Sequence, residues 1–240
     1  GILADRHRPE HVAELEALGI QGIDLVVVNL YPFADTVASG AAEAEVTEMI
    51  DIGGPTMLRA AAKNHASVGV VVDPDDHAEV IEQVTTTGSL DDALRARLAV
   101  RAFQHTAAYD ADVAAWFQRE ETFPSQLSLA LPKASDLRYG ENPHQGAAFY
   151  TYGAAVGLAA AEQLHGKHLS YNNLLDTDAA WGMAVDLDEP CVAIVKHTNP
   201  AGMAVADDLE TAYERALQGD PVSAFGGIVA TNVPIDEATA

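Results

Sequence analysis

The segment VKHTNPAG (195–202) sets Lys196 and His197 side by side, where the apolar run CVAIV (191–195) stops. Imidazole titrates near neutrality and can take or give a proton. An ammonium group stabilises developing negative charge or a leaving group, and packing alone does not call for one. A second segment, LRYGENPHQ (137–145), gathers Arg138, Tyr139, Glu141, Asn142, His144 and Gln145 around Gly140 and Pro143. That density of polar groups suits a phosphorylated or polar ligand, although a solvated loop would have the same composition. The third constellation is NLYPF (29–33) with DIGGPTMLRAAAKNH (51–65). Asp51 precedes Gly53-Gly54 and a helix start, whose free N–H groups can receive an anion or an oxyanion. Lys63 adds a cation two to three turns along, and Tyr31 sits at the carboxyl end of a predicted strand, where α/β ligand sites form. A capped surface helix and a turn tyrosine would read the same way. In DPVSAFGGIV (220–229), Asp220-Pro221 predicts a turn, and the Gly226-Gly227 pair allows close backbone approach.

Other chemistries are excluded. The sequence holds no P-loop, no GxGxxG and no HExxH, and lack of the dinucleotide fingerprint weighs against an α/β oxidoreductase. His165 and His168 are three apart, but no acidic or cysteine group completes a set, so no metal is expected. The single cysteine, Cys191, rules out an internal disulfide framework and a Cys-rich zinc site.

These residues must be positioned by a chain of 240 residues, 48% hydrophobic and 20% charged. That length holds one large or two ordinary domains, each with a core. Aromatics are only 6%, so the core is expected to be aliphatic. No apolar run approaches the ~20 residues of a membrane span, and GILADRHRPE has no signal-peptide character. The expected setting is cytoplasmic. Asp and Glu total 36 against 13 Lys and Arg, a formal charge of −23. Such a surface repels nucleic acid and anionic membranes. An anionic substrate must then be held by a local cluster of cations, and lysine occurs only at 63, 133, 167 and 196. The chain starts on Gly and stops at PIDEATA, an acidic helix-starting pattern, and so reads as a piece of a longer one.

Periodicity predicts a helix over 9–19, a strand buried on both faces over 23–30, partial helix over 34–50, and a helix after the Gly53-Gly54 turn. A buried strand over 67–73 follows, then a helix over 74–87 with Val80, Ile81 and Val84 inward, closed by Gly88. Ser89 with Asp92 resembles a capping pair for a long helix over about 90–119, with Leu90, Leu94, Leu98, Ala102, Tyr109, Val113 and Phe117 on one stripe. A boundary falls within 120–136. Beyond it come strands at 147–152, 191–197 and 226–232 and helices at 172–187 and 208–217. The alternation predicts an α/β fold.

NLYPF, IDIGGPTMLRAAAKNH, LRYGENPHQ, LSYNNLLDTDAAW, AIVKHTNPAG and DPVSAFGGIVA occur in the order seen in one family. The chain closely resembles the bifunctional purine-biosynthesis proteins with phosphoribosylaminoimidazolecarboxamide formyltransferase and IMP cyclohydrolase activities. The resemblance implies a methylglyoxal-synthase-like cyclohydrolase part over 1–126, lacking its N-terminus. It implies the start of a cytidine-deaminase-like transformylase domain over 127–240, lacking its C-terminus. The family transfers a formyl group from the co-substrate 10-formyltetrahydrofolate to AICAR, then closes the product FAICAR to IMP with release of water. By the same resemblance His197 removes the amine proton and Lys196 stabilises charge on the formyl group or its leaving nitrogen. Arg138, toward the phosphate, and Tyr139 hold the nucleotide. Asn173 contacts it, with Asn172 as the alternative of the doublet. Phe225 and Gly226 lie near the substrates. Tyr31, Asp51 and Lys63 match cyclohydrolase positions that orient the formamide and stabilise its oxygen, with no metal. The family's phosphate loop and folate-facing half are absent, and its transformylase sites lie across a homodimer interface. The 240 residues alone are therefore expected to turn over neither reaction. A non-catalytic nucleotide-binding protein is the alternative.

Overall fold

A computed structural model describes residues 1–152, 156–235, 237 and 239. The chain divides into two compact units, Gly1–Ala130 and Leu131–Ala240, each of mixed α/β build. The helix-starting pattern at 234–240 falls partly outside the described residues.

In the first unit the order is α1 (Pro9–Ala17), β1 (Leu25–Val27), α2 (Phe33–Ala38), α3 (Glu43–Glu48), α4 (Gly53–Lys63), β2 (Gly69–Val71), a short 3-10 turn (Pro74–Asp76), α5 (His77–Thr87) and α6 (Asp92–Phe117). β1 and β2 pair in parallel, Val26 opposite Val70. The core forms where Leu58, Ala61 and Ala62 of α4 and Leu94, Leu98 and Ala102 of α6 meet Val70 and Val71. β2 is buried throughout, as a strand covered on both faces should be. A second cluster joins Phe33, Val46 and Trp116, with the Phe33 and Trp116 rings edge to face at 6.0 Å.

Several expectations need correction here. The run at 23–30 is not buried on both faces. Only Leu25–Val27 is strand, and Val26, Val28 and Leu30 point inward while Leu25 and Val27 are exposed. Among the described residues the strand has one neighbour, β2, and the core lies on one side of it. On α5 only Val80 is buried; Ile81 and Val84 are exposed, because the helix meets the core through that single side chain. Phe117 also leaves the stripe and is exposed. α6 is capped by Asp91, not by Ser89 with Asp92: Asp91 Oδ1 accepts the Leu94 amide at 2.7 Å, which lowers its carboxyl pKa. Gly53 and Gly54 open α4 and do not form a separate turn before it.

In the second unit the order is β3 (Lys133–Leu137), β4 (Ala147–Tyr150), a 3-10 turn (Gly157–Ala160), α7 (Tyr171–Val185), β5 (Cys191–Lys196), β6 (Asn199–Val205), α8 (Leu209–Leu217), α9 (Pro221–Ala224) and β7 (Ile228–Thr231). β3 and β4 form an antiparallel hairpin. β5 is the centre of a three-stranded antiparallel sheet in the order β6-β5-β7. Every residue from Cys191 to Val195 is buried. Val192 and Ile194 face Leu209, Ala212 and Ala216 of α8. The alternate residues turn to the other face, where α7 packs and buries Ala180 and Ala184.

Residues 199–205, to which the sequence pattern assigns no element, are a strand in the structure. Pro200 and Gly202 argue against a central strand, but β6 is an edge, and its register slips beside Val195 and Pro200. Gly202 is there for packing: a Cβ would lie 1.8 Å from the Ala216 carbonyl oxygen of α8. Likewise Asp220-Pro221 begins α9.

Candidate functional site

α7 starts at Ser170, whose hydroxyl accepts the Asn173 amide while the Asn173 side chain reaches back to the Ser170 amide. This capping box satisfies two otherwise orphaned donors. The Asn173 carbonyl oxygen, the acceptor in that box, also lies 3.5 Å from the Arg138 guanidinium. Arg138 stacks on the Tyr139 ring at 4.8 Å and donates to its hydroxyl at 3.3 Å. The loop after them is held on both sides. The Gly140 amide donates to the Gln145 carbonyl, and Asn172 Nδ2 donates to the Glu141 carbonyl at 3.0 Å. The asparagine doublet is thus divided: Asn172 anchors the loop, and Asn173 caps the helix and meets Arg138.

One turn further along α7, about 4.5 Å in axial rise, Asp176 faces the end of β5. There β5 and β6 join in a two-residue turn, with Lys196 opposite Asn199. The turn residues His197 and Thr198 both have positive φ, 53° and 61°. Two consecutive positive φ values make the turn that fits a right-twisted hairpin. Asp176 Oδ1 accepts the Thr198 amide at 2.8 Å. Sequence reading missed Asp176, whose partner is a main-chain group 22 residues away.

Lys196 is half-buried and donates to the Phe225 carbonyl at 2.8 Å. That carbonyl is set by α9, which Asp220 caps through the Val222 and Ser223 amides and the Ser223 hydroxyl. The Ser223 hydroxyl, with these amides, lowers the Asp220 carboxyl pKa. Gly226 has φ +74°, and a Cβ on Gly227 would lie 2.8 Å from the Val195 carbonyl oxygen. Both glycines are thus required for the chain to close on β5. Arg138, Tyr139 and Asn173 form one group, and Lys196, His197, Phe225 and Gly226 a second. α7 touches both, through Asn173 and Asp176.

The cations of the chain divide by whether they meet a carboxylate. Arg6, Arg8, Arg95, Arg97, Arg101, Arg119 and Lys133 each meet a carboxylate. Arg138, Lys167 and Lys196, like Arg59, Lys63 and Arg215, form no ion pair among the described residues. Arg138, Lys167 and His168 also line a cavity of about 390 Å³. In a chain of charge −23, an anionic ligand would need local cations of this kind.

In the first unit Tyr31 and Asp51 are brought together. Asp51 Oδ1 accepts the Gly54 amide at 2.7 Å, and Oδ2 lies 3.4 Å from the Tyr31 amide. The Asp51 amide donates to the Tyr109 hydroxyl at 2.7 Å, and that hydroxyl donates to the Met49 carbonyl at 2.8 Å. Burial raises the Tyr109 pKa, and the Asp51 and Asp110 carboxylates push the same way, so the phenol keeps its proton. Gly54 leaves room for the carboxylate: a Cβ there would lie 2.5 Å from Asp51 Oδ2. The Tyr31 side chain is exposed. Lys63 is the last residue of α4, on the surface. It lies about 15 Å along the helix axis from Gly53 at the Asp51 end, so Lys63 and Asp51 do not share one end of the helix.

The sequence profile described as AICARFT/IMPCHase bienzyme matches residues 61–240, and the one described as MGS-like domain matches residues 3–56. The chain belongs to the AICARFT/IMPCHase bienzyme family. The chain is 52% identical to the bifunctional purine biosynthesis protein PurH of Acidithiobacillus ferrooxidans, over all of this chain and 48% of that protein. It is 53% identical to PurH of Parvibaculum lavamentivorans (all of this chain, 46% of that protein) and 50% identical to PurH of Bacillus cereus (all of this chain, 48% of that protein). It therefore spans about half the length of the curated relatives it matches. The crystal structure of ForH superposes on 51% of the chain and 63% of its own at a TM-score of 0.42, with 36% identity. No helix of the described residues is long and apolar enough to cross a membrane.

Proposed function

We propose that the protein bearing this chain transfers a formyl group from 10-formyltetrahydrofolate to the amine of AICAR, and closes FAICAR to IMP. What supports this reading is the Lys196–His197 turn, held by Asp176 on the same helix whose Asn173 meets Arg138. In formyl transfer the 5-amino nitrogen bonds to the formyl carbon and the bond from that carbon to the folate N10 breaks. His197 takes the proton the amine loses, and N10 gains a proton. Lys196 uses one ammonium hydrogen on the Phe225 carbonyl. Two remain for the developing oxyanion or the leaving nitrogen. Arg138 and Tyr139 hold the nucleotide, Arg138 toward the phosphate, with Asn173 behind them, and Phe225 and Gly226 border the substrates.

For ring closure, a carboxamide nitrogen attacks the formamide carbon and water leaves. Both reacting groups belong to one molecule, so orientation supplies much of the acceleration. Asp51 and Tyr31 orient the formamide at the start of α4 in this reading. Lys63 serves this reaction from elsewhere than the Asp51 end of the helix. We assign the cyclohydrolase role to 1–126 and the start of the transformylase to 127–240, the latter cytidine-deaminase-like and acting as a homodimer. The 240 residues alone should not turn over.

The test is formyl transfer by the full-length protein, native and with Lys196→Ala or His197→Ala. Each substitution should lower kcat by about 10²–10⁴-fold while AICAR still binds. A native full-length protein that binds AICAR without forming FAICAR would instead be a nucleotide-binding protein.

A further inference from the structure

We propose that Asp176 is the positioning residue of the Lys196–His197 turn, its carboxylate clamping the Thr198 amide so that two consecutive L-residues stay in the left-handed region. This rests on the formyl-transfer reading for its kinetic readout, and on geometry alone for its structural one.

A two-residue hairpin turn with positive φ at both positions is normally built from Asn-Gly or Gly-Gly. Here it is built from His197 (φ 53°) and Thr198 (φ 61°). Left-handed backbone crowds the Cβ of any L-residue, and a β-branched residue there is an outlier. Glycine would remove the crowding, but it cannot supply the imidazole that the chemistry requires at 197. The strain therefore has to be opposed by bonds. Three are present. The Thr198 hydroxyl donates to the His197 carbonyl at 2.7 Å, and Asn199 Nδ2 donates to the same carbonyl at 2.8 Å. Both lie within the turn and would move with it. The third, from the Thr198 amide to Asp176 Oδ1 at 2.8 Å, ties the turn to a different element. Asp176 is half-buried on α7, and α7 packs along β5 and β7. The carboxylate is thus a fixed point against which the hairpin tip is held. Released from it, the tip can relax toward unstrained φ values and carry the His197 imidazole off line.

The experiment uses the full-length protein in three forms: Asp176→Ala, Asp176→Asn, and Asp176→Ala combined with Thr198→Gly. Misplacing a reacting group by about 1 Å costs about a hundredfold. That is the loss in kcat expected of Asp176→Ala, with the KM for AICAR and the melting temperature near native. Asp176→Asn keeps an oxygen that accepts the Thr198 amide, and should keep most of the activity. Thr198→Gly removes the steric penalty and should restore about tenfold or more to the alanine variant. Deuterium exchange at the Thr198 amide should accelerate in Asp176→Ala and stay slow in Asp176→Asn. Native kcat in Asp176→Ala, equal losses in Ala and Asn, no rescue by glycine, or unchanged exchange would each overturn the assignment. If the native full-length protein transfers no formyl group, the functional reading fails while the exchange rates still judge the clamp.

Discussion

Asp220 shows how one side chain can set the position of another through the main chain between them. Its carboxylate closes α9, α9 presents the Phe225 carbonyl, and that carbonyl receives Lys196. Its pKa lies below the ordinary carboxylate value in the folded chain and at that value when unfolded. A lowered pKa contributes stability that is complete above the unfolded value and is lost as pH falls through the folded one. Asp220→Ala should therefore melt below the native protein at pH 7, and the gap should close from about pH 4 downward. A gap that stays constant down to pH 2.5 would show that the cap is not what the residue contributes. At this scale the sequence singles out Lys196, His197, Arg138 and Tyr139 as candidates through their local company. It could not expose Asp176 as a support, because that residue acts through a main-chain atom that carries no side-chain signature.

At the scale of elements, periodicity located the long helices, since a stripe repeated over many residues is hard to mistake for anything else. α6 illustrates both the strength and the limit: its range was legible, while its cap was displaced from Ser89 to Asp91. β6 was hidden because Pro200 and Gly202 speak against a strand unless the strand is known to be an edge. The link from α6 to the start of α4 was equally hidden. Tyr109 looks like one more residue of an apolar stripe, but its hydroxyl bridges the Asp51 amide and the Met49 carbonyl. Tyr109→Phe would leave both groups without this partner and should cost about 1–3 kcal/mol in denaturant unfolding. In the full-length protein it should reduce ring closure while sparing formyl transfer. Equal losses in both activities would mean that the bridge supports the whole molecule and not the Asp51 end of α4.

At the scale of the whole molecule, the formal charge of −23 is the dominant physical fact. Like charges spread over a compact surface repel, and added salt screens them over a Debye length of about 10 Å at 0.1 M. The melting temperature should accordingly rise from low salt to about 0.5 M KCl, more than the loss from screening its exposed ion pairs subtracts. A flat or falling melting temperature would mean that the paired arginines offset the repulsion locally. Composition made this anionic field legible at once, along with the need for a cation cluster within it. Where cations would gather was not, because Arg138 and Lys167 come to line one cavity only through the folding of separate segments.

Phe225 takes part in this arrangement through its carbonyl alone, and its ring is 85% exposed. The main chain there does the same work whatever side chain is attached. Its two followers have no such latitude, since Gly226 needs its positive φ and Gly227 has no space for a Cβ. In a library of variants, folding would therefore leave position 225 open and close 226 and 227. Any preference that selection imposed at 225 would then be a record of what the exposed ring meets, uncontaminated by the demands of the fold.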